Sequence, residues 1–367
     1  MKVLVVLGTS AGGVGQHVRG LVRSLTEAGH HVVVTGPAAV AEHFGLAEVA
    51  TCVVPLEVSD RPHPARDARA VRDLSRLVTG ADVVHAHGLR VAALAVLATA
   101  RSGPPVVSTL HNAAPTSALT GAVYAVLERI VARGSTLVLG VSADLVERMA
   151  ALGARRTALA VVPAPPRREA DRDRYAVRAD LGLGEHTALG VVIARLAAQK
   201  GLDVLLDAHR VLRDDAAVDL LTVVAGDGPL HDELAERIAA ERLPVRLLGR
   251  RDDVPDLLAA ADVVVSSAVW EGQPVGLQEA LHAGAAIVAT DVGGTHAVVG
   301  DAALLVPGGD AVSLARAVRD VVLYGGVRDD LRSKAVERAG QLPTEADALT
   351  AALAAYRSVL PRGLIGA

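Results

Sequence analysis

The feature that most constrains the fold is a regular alternation of two kinds of segment. Short runs of Val, Ile and Leu alternate along the chain with longer stretches whose apolar residues recur at helical spacing. Continuous apolar runs are typical of strands that are buried on both faces, and intervening helices connect such strands in parallel. The pattern therefore predicts an α/β fold in which helices cover parallel, doubly wound sheets.

The length of 367 residues suggests two domains. The alternation is interrupted once, after a strand predicted at residues 159–162, by Pro163-Ala164-Pro165-Pro166 and a charged stretch. Proline continues neither a helix nor a central strand, so a boundary belongs here. We predict domains at 1–165 and 170–342. The segment 343–367 is predicted to contain a helix, and its return to the first domain is left open.

Composition excludes several classes of protein. Hydrophobic residues make up 51% of the chain and the net charge is −4, whereas disordered chains are poor in hydrophobic residues and strongly charged. A dedicated nucleic-acid partner is disfavoured, because such binders carry a basic excess. Six aromatic residues are too few for a surface that stacks sugars or bases. The single cysteine, Cys52, excludes a disulfide framework and is predicted to be a small buried hydrophobe.

Membrane and export signals are weak in this sequence. Its apolar runs are shorter than a membrane span, and the first one, from Val3 to Leu7, is shorter than the core of a signal peptide. We therefore expect a cytoplasmic protein. A peripheral contact at the inner face of the membrane stays open, because residues 118–131 are amphipathic.

A glycine-rich loop follows the first predicted strand, from Gly8 to Gly15. A strand, a glycine loop and a helix N-terminus together favour an anion, because backbone amides and the helix dipole point toward it. The loop is not a dinucleotide fingerprint, since Val18 occupies the place of the third glycine. A turn without a ligand explains the glycines as well, so the loop alone identifies no ligand.

Two cations follow the first strand of the second half. Arg195 and Lys200 are five residues apart, and Lys200 is one of only three lysines in the chain. A guanidinium fork and an ammonium point charge are suited to holding a diphosphate from two sides. The alternative is a pair of solvated loop charges.

Two carboxylates lie further along, Glu271 in a turn and Glu279 in a helix predicted to begin near Val275. The free amides of Gly276 and Leu277 at that helix start would hold a phosphate. Carboxylates on either side accept hydrogen bonds from hydroxyl groups. A ligand with hydroxyls flanking phosphates, such as a nucleotide sugar, fits this arrangement.

These residues resemble the E-x7-E motif of retaining glycosyltransferases with the GT-B fold, of the family 4 type (glycosyltransferase group 1). Four further segments are similar to motifs of that family, occur in the same order and span most of the chain. They are the G-G loop at Gly12-Gly13-Val14, the T-x-H strand end at Thr109-Leu110-His111, R-L-x-x-x-K-G-x-D from Arg195 to Asp203, and T-D-x-G-G from Thr290 to Gly294.

The resemblance implies a GT-B fold, with two doubly wound Rossmann-like domains facing across a cleft. The first domain would bind the acceptor and the second the nucleotide sugar. The implied activity is a metal-independent hexosyltransferase without a cofactor. It would move a hexosyl unit with retention from a UDP- or GDP-sugar to a hydroxyl acceptor that is lipid-linked, inositol-type or a glycan.

The resemblance also implies roles for single residues. His111 and Glu271 would be the catalytic pair, with His111 facing the transferred sugar and Glu271 holding its hydroxyls. Glu279 would bind the ribose. The phosphates would be bound by Arg195, Lys200, Gly276 and Leu277. Gly13, the remaining donor-site residue, would lie near the donor phosphate or the acceptor.

Departures from the family pattern leave the sugar open. Gln273-Pro274 stands where Phe-Gly is common, and Ala194 replaces a glycine. His85 and His87 alternate at a strand end; they could line the acceptor cleft, but we favour structural hydrogen bonds for both. Two other functions stay open: a nucleotide-sugar 2-epimerase, which shares the architecture, and a catalytically silent subunit that binds nucleotide sugars.

Overall fold

The computed structural model describes residues 1–10, 12–58, 63–100, 103–113 and 118–361, with the side chains of residues 118–120 excepted. The chain forms two compact units. Unit 1 comprises Met1–Pro163 together with the stretch that begins at Pro343, and unit 2 comprises Ala164–Leu342.

Unit 1 contains a parallel sheet of seven strands in the order β3-β2-β1-β4-β5-β6-β7. Its strands are β1 (Lys2–Leu7), β2 (His31–Gly36), β3 (Cys52–Pro55), β4 (Val83–His87), β5 (Val106–Leu110), β6 (Leu137–Gly140) and β7 (Thr157–Leu159). The helices between them are α1 (Gly13–Glu27), α2 (Ala38–His43), α3 (Pro64–Leu77), α4 (Leu89–Thr99), α5 (Ala118–Gly134) and α6 (Ala143–Ala151).

Unit 2 contains a parallel sheet of six strands in the order β10-β9-β8-β11-β12-β13. Its strands are β8 (Ala188–Ile193), β9 (Leu220–Ala225), β10 (Val245–Gly249), β11 (Val263–Ser266), β12 (Ile287–Thr290) and β13 (Ala303–Val306). Its helices are α7 (Arg174–Asp180), α8 (Leu202–Arg213), α9 (His231–Glu241), α10 (Val254–Ala260), α11 (Val275–His282), α12 (Thr295–Val299), α13 (Ala311–Leu323) and α14 (Gly325–Ala339). Apolar side chains of successive strand residues form a separate core on each face of this sheet. This double burial is why its strands read as continuous apolar runs.

The α/β prediction is confirmed, and its errors lie at the edges of the first sheet. The strand predicted at 159–162 is β7, which ends at Leu159 and pairs only with β6. Sequence reasoning missed β3, the opposite edge, and Cys52 at its start is exposed rather than buried. Both edge strands have one unpaired side and need no continuous apolar run, so the apolar pattern misplaces one and misses the other.

The C-terminal helix α15 (Glu345–Val359) belongs to unit 1. A capping box between Thr344 and Asp347 starts it, because each side chain accepts a hydrogen bond from the other residue's backbone amide. The helix packs on α1, where Glu345 forms an ion pair with Arg23. Tyr356, on the inner face of this helix, is fully buried. Among the described residues, no helix of either unit combines the length and apolar character that crossing a bilayer requires.

Gly15, which the structure places in the first turn of α1, is required by packing. A Cβ at Gly15 would lie 2.1 Å from the Phe44 ring, well inside van der Waals contact. We expect Gly15→Ala to lower the free energy of unfolding by about 1–3 kcal/mol, the usual range for overpacking.

Gly326→Ala is the matched control, because a Cβ on this helical glycine meets nothing within 4 Å. Urea unfolding followed by circular dichroism would compare the two variants with the wild type. An unchanged midpoint for Gly15→Ala would show that the Phe44 ring can move aside.

Candidate active site

The strand order of unit 2 places its two central loops side by side. From β8 the chain winds outward to β9 and β10, and it then returns to start again at β11 on the other side of β8. Ligands of open α/β sheets bind at such a reversal, outside the carboxyl ends of the two strands. The loop after β8 carries Arg195 and Lys200, and the loop after β11 carries Glu271.

These two loops are joined by backbone contacts. The Val269 amide donates to the Gln199 carbonyl at 2.9 Å, and the Gln199 side-chain amide donates to the Trp270 carbonyl at 3.0 Å. Gly201 approaches so closely that a Cβ there would lie 2.1 Å from the Ser267 carbonyl oxygen. Its positive φ of 57° also favours glycine. The loops therefore hold each other in a fixed position.

A third loop, between β9 and α9, supports the segment that carries Arg195. The Leu196 amide donates to the Asp227 carbonyl at 3.0 Å, and a Cβ at Gly226 would lie 1.9 Å from the Ala194 carbonyl oxygen. A Cβ at Gly228 would lie 2.4 Å from the Leu196 carbonyl oxygen. Sequence reasoning assigned this loop no chemistry. The two glycines at its strand end, Gly226 and Gly228, were the sequence signal that could have indicated this close backbone contact.

The T-D-x-G-G turn supports Glu271 in a similar way. The Gly294 amide donates to the Glu271 carbonyl at 2.8 Å. A Cβ at Gly293, where φ is 54°, would lie 2.0 Å from that same carbonyl oxygen. The Thr290 hydroxyl donates to the Ala268 carbonyl at 2.6 Å. The turn thus fixes the backbone that carries the Glu271 carboxylate.

The structure joins Lys200 and Glu271 directly in an ion pair between Nζ and Oε1. Glu271 is 6% exposed, and the Lys200 side chain is 25% exposed. The two residues are 71 positions apart in the chain, so no local pattern indicates their contact. Arg195, in the same loop as Lys200, is exposed and forms no ion pair with the described residues.

Helix α11 starts at Val275, as predicted, but only one of the two expected amides is available. The Leu277 amide donates to the Pro274 carbonyl at 3.1 Å, so the expectation of a free amide at Leu277 is wrong. The first amides of a helix normally have no partner within the helix and are available to a ligand. A tight first turn uses one of them for its own hydrogen bond. The Gly276 amide donates to no carbonyl of the described residues, and a Cβ there would lie 3.1 Å from the Ile193 carbonyl oxygen.

Glu279 lies in different surroundings from Glu271. It is half-buried beside a cavity of about 20 Å³ that Arg168 and His282 also line. Burial raises the pKa of the Glu279 carboxyl above its usual value, and the positive charge of Arg168 opposes that rise. A carboxyl in this setting can accept a hydrogen bond from a hydroxyl without a paired cation.

The corresponding edge of unit 1 carries histidines. The strand order reverses between β1 and β4, and Leu7 at the end of β1 is in register with His87 at the end of β4. His111 follows β5, and Gly13 is the first residue of α1. His17 on α1 joins these elements, because its ring centroid lies 5.6 Å from that of His111. The structure therefore brings Gly13 and His111 to the same edge of the sheet.

The two strand-end histidines of β4 differ in their partners. His85 is bonded to the protein at both ring nitrogens, with 2.7 Å from Nε2 to the Thr109 hydroxyl and 2.7 Å from Nδ1 to the Tyr356 hydroxyl. The structural role predicted for His85 is confirmed. His87 instead places its Nδ1 3.1 Å from Nε2 of His111.

Burial keeps this histidine cluster neutral. It lowers the pKa of His85 to about 3 and that of His17 to about 4. For His87 and His111 it moves the pKa well below the usual value of 6.5, and the neighbouring histidines add to the effect. Within the described ranges, no group of three or more His, Cys, Asp or Glu side chains could hold a metal ion.

The amphipathic segment predicted at 118–131 lies in α5. Val123 and Val126 are 43% and 53% exposed, and Leu97 on the neighbouring α4 is 48% exposed. Scattered exposed apolar residues are normal on a protein surface. A peripheral membrane contact stays a prediction.

Comparisons with known proteins agree with this architecture. A family described as "Glycosyl transferase 4-like domain" matches residues 12–165, and one described as "Glycosyl transferases group 1" matches residues 188–323. The Anabaena protein Alr3699/HepE, solved in complex with UDP-glucose, has a TM-score of 0.80 at 19% identity, covering 98% of this chain and 100% of that one. The fold is thus of the GT-B type.

Curated relatives define the family. Phosphatidyl-myo-inositol mannosyltransferase from Mycolicibacterium smegmatis is 30% identical over 356 residues, covering 90% of this chain and 85% of the relative. UDP-Gal:alpha-D-GlcNAc-diphosphoundecaprenol alpha-1,3-galactosyltransferase from Escherichia coli is 25% identical over 263 residues, covering 65% of this chain and 67% of the relative. The chain belongs to the group 1 glycosyltransferases.

The depressed histidine pKa values make the stability of unit 1 dependent on pH. Between about pH 6.5 and pH 4, His17 and His85 bind protons in the unfolded chain but stay neutral in the folded protein. The free energy of unfolding therefore falls as the pH falls, by up to about 1.4 kcal/mol per pH unit for each histidine.

Urea unfolding at several pH values would measure this slope. We expect His17→Phe to flatten it by about one proton, whereas His186→Phe, at an exposed position, should leave it unchanged. A slope that is the same in wild type and His17→Phe would mean that His17 titrates normally in the folded protein.

Proposed function

We propose that this protein is a retaining hexosyltransferase whose donor is a UDP- or GDP-sugar and whose acceptor is a hydroxyl group. The observation that carries the proposal is the Lys200–Glu271 ion pair, held at the reversal point of the unit 2 sheet by three neighbouring loops. It places one cation and one carboxylate where ligands of such sheets bind. The likeness to a protein solved with UDP-glucose supports this donor class.

The diphosphate is assigned to the cationic loop. Arg195 is exposed and carries a guanidinium fork, and the Lys200 ammonium moves from Glu271 to a phosphate oxygen when the donor arrives. The Gly276 amide at the N-terminus of α11 adds a donor aligned with the helix dipole. These groups stabilise the negative charge that develops on the departing nucleotide, without a metal ion.

The sugar and the ribose are assigned to the two carboxyl groups. Glu271, released from Lys200, accepts hydrogen bonds from hydroxyls of the transferred sugar. Glu279 accepts one from the ribose. Until the donor binds, the ion pair with Lys200 compensates the buried Glu271 charge, because an unpaired buried carboxylate is strongly destabilising.

The acceptor is assigned to unit 1, with His111 as the side chain that contacts the transferred sugar. A neutral imidazole carries one N–H donor and one acceptor nitrogen, which suits hydroxyl oxygens. The names of the relatives indicate lipid-linked and inositol-type acceptors for those proteins. We propose the same classes, or a glycan, for this chain.

A donor screen tests the proposal. UDP-, GDP- and ADP-sugars are added to the protein, and thermal stabilisation and release of the nucleotide are measured for each. We expect one nucleotide class to stabilise the protein and to be hydrolysed slowly. With an acceptor present, the anomeric configuration of the product, read by NMR, should equal that of the donor.

Glu271→Gln keeps the shape of the side chain but removes its charge. We expect it to lower kcat/KM by roughly 100-fold or more, a loss typical for a group that stabilises the transition state. Glu337→Gln, at an exposed position on α14, is the matched control and should leave the rate unchanged. Full activity in Glu271→Gln, or conversion of the donor to its 2-epimer, would contradict the proposed function.

A further inference from the structure

The pairing of His87 with His111 constrains where each ring carries its proton. Nδ1 of His87 and Nε2 of His111 are 3.1 Å apart, and the ring planes are inclined by only 22°. A hydrogen bond at this distance requires a proton on one of the two facing nitrogens and a lone pair on the other. Since a neutral imidazole carries one N–H, each choice also fixes the far nitrogen of both rings.

In the first arrangement, His111 donates from Nε2 and His87 must carry its proton on Nε2. That atom of His87 is buried and has no hydrogen-bond partner among the described residues. No neighbouring ring accepts a hydrogen bond from it, because both nitrogens of His85 are already bonded and Nδ1 of His17 also makes no hydrogen bond in the described part of the chain. This arrangement therefore buries an unpaired N–H donor, which folded proteins rarely tolerate.

In the second arrangement, His87 donates from Nδ1 to Nε2 of His111. Only a lone pair is then buried at Nε2 of His87. His111 carries its proton on Nδ1, the nitrogen that makes no hydrogen bond to the described residues and is not buried like the far nitrogen of His87. The proton of His111 thus lies on the nitrogen that a ligand can reach.

We propose that His87 is a positioning residue that holds His111 in the Nδ1–H tautomer, so that His111 offers a hydrogen-bond donor to a hydroxyl oxygen of the transferred sugar. The role in transfer rests on the proposed function. Which nitrogen carries the proton is a property of the folded protein alone. The residue pattern at the end of β4 does not distinguish His87 from His85, whose two ring nitrogens are both hydrogen-bonded to the protein.

The tautomer can be read without any substrate. Two-bond proton–nitrogen correlation NMR on the full chain labelled with [15N]histidine distinguishes protonated from bare ring nitrogens, and loss of one signal set in His111→Gln assigns His111. At pH 7 we expect His111 to be protonated at Nδ1 and bare at Nε2. Protonation at Nε2 would overturn the proposal.

Two substitutions at His87 test the cause. Asn can place an amide N–H near the position of Nδ1, whereas Leu fills the space without a donor. We expect His87→Asn to keep the Nδ1–H tautomer of His111 and His87→Leu to lose it. In a transfer assay, His87→Leu should lower kcat by roughly 10- to 100-fold, the range common for residues that orient a functional histidine, with little change in the KM for the donor.

The outcomes separate this proposal from the proposed function. If no sugar is transferred but the tautomer behaves as expected in both variants, the pairing stands and the assigned reaction is wrong. If transfer occurs and His87→Leu keeps both the Nδ1–H tautomer and the wild-type kcat, the positioning role of His87 is wrong. Should His87→Leu fail to fold, the wild-type tautomer decides on its own.

Discussion

A partly buried lysine–glutamate ion pair is the interaction on which the candidate donor site depends. Lys200 and Glu271 come from loops that follow β8 and β11, and each loop is held by backbone contacts that leave no room for a Cβ at Gly201 or Gly293. Removing Lys200 would leave the buried Glu271 carboxylate without a compensating charge. A donor that carries both phosphates and hydroxyls offers each partner a replacement, so the ion pair can exchange for ligand contacts without leaving an unpaired charge.

The two units share the same sheet topology but carry side chains of different charge at the edge where the strand order reverses. In unit 2 the loops at the reversal point carry formal charges that compensate each other, which suits an anionic ligand. In unit 1 the equivalent edge carries four histidines that burial keeps neutral. One of them, His85, is joined to Thr109 and Tyr356 by short hydrogen bonds. A neutral imidazole presents one hydrogen-bond donor and one acceptor nitrogen, so this edge is suited to polar, uncharged groups.

The sequence predicted the central strands and most of the candidate site because both leave local signals. Strands buried on two faces read as apolar runs, and Lys200, Glu271 and His111 occur in spaced motifs. Features that depend on contacts between distant segments, or on the detailed geometry of a helix turn, leave no such signal in the sequence. The ion pair joins residues 71 positions apart, the Leu277 amide is used by the tight closing of its own helix turn, and His87 differs from His85 only through strand register and helix α15. Of the edge strands of the first sheet, β3 was missed and β7 was misplaced, because each has one unpaired side and needs no continuous apolar run.

Hydrogen–deuterium exchange with and without a nucleotide sugar tests the central claim most directly, because it reports on backbone amides of the intact chain. If the loops after β8 and β11 bind the donor, exchange should slow within residues 194–201 and 267–277, whereas α9 and α13 of the same unit should not change. Protection confined to other segments, with these two loops unchanged at saturating donor, would contradict the assignment of the donor to the Lys200–Glu271 site.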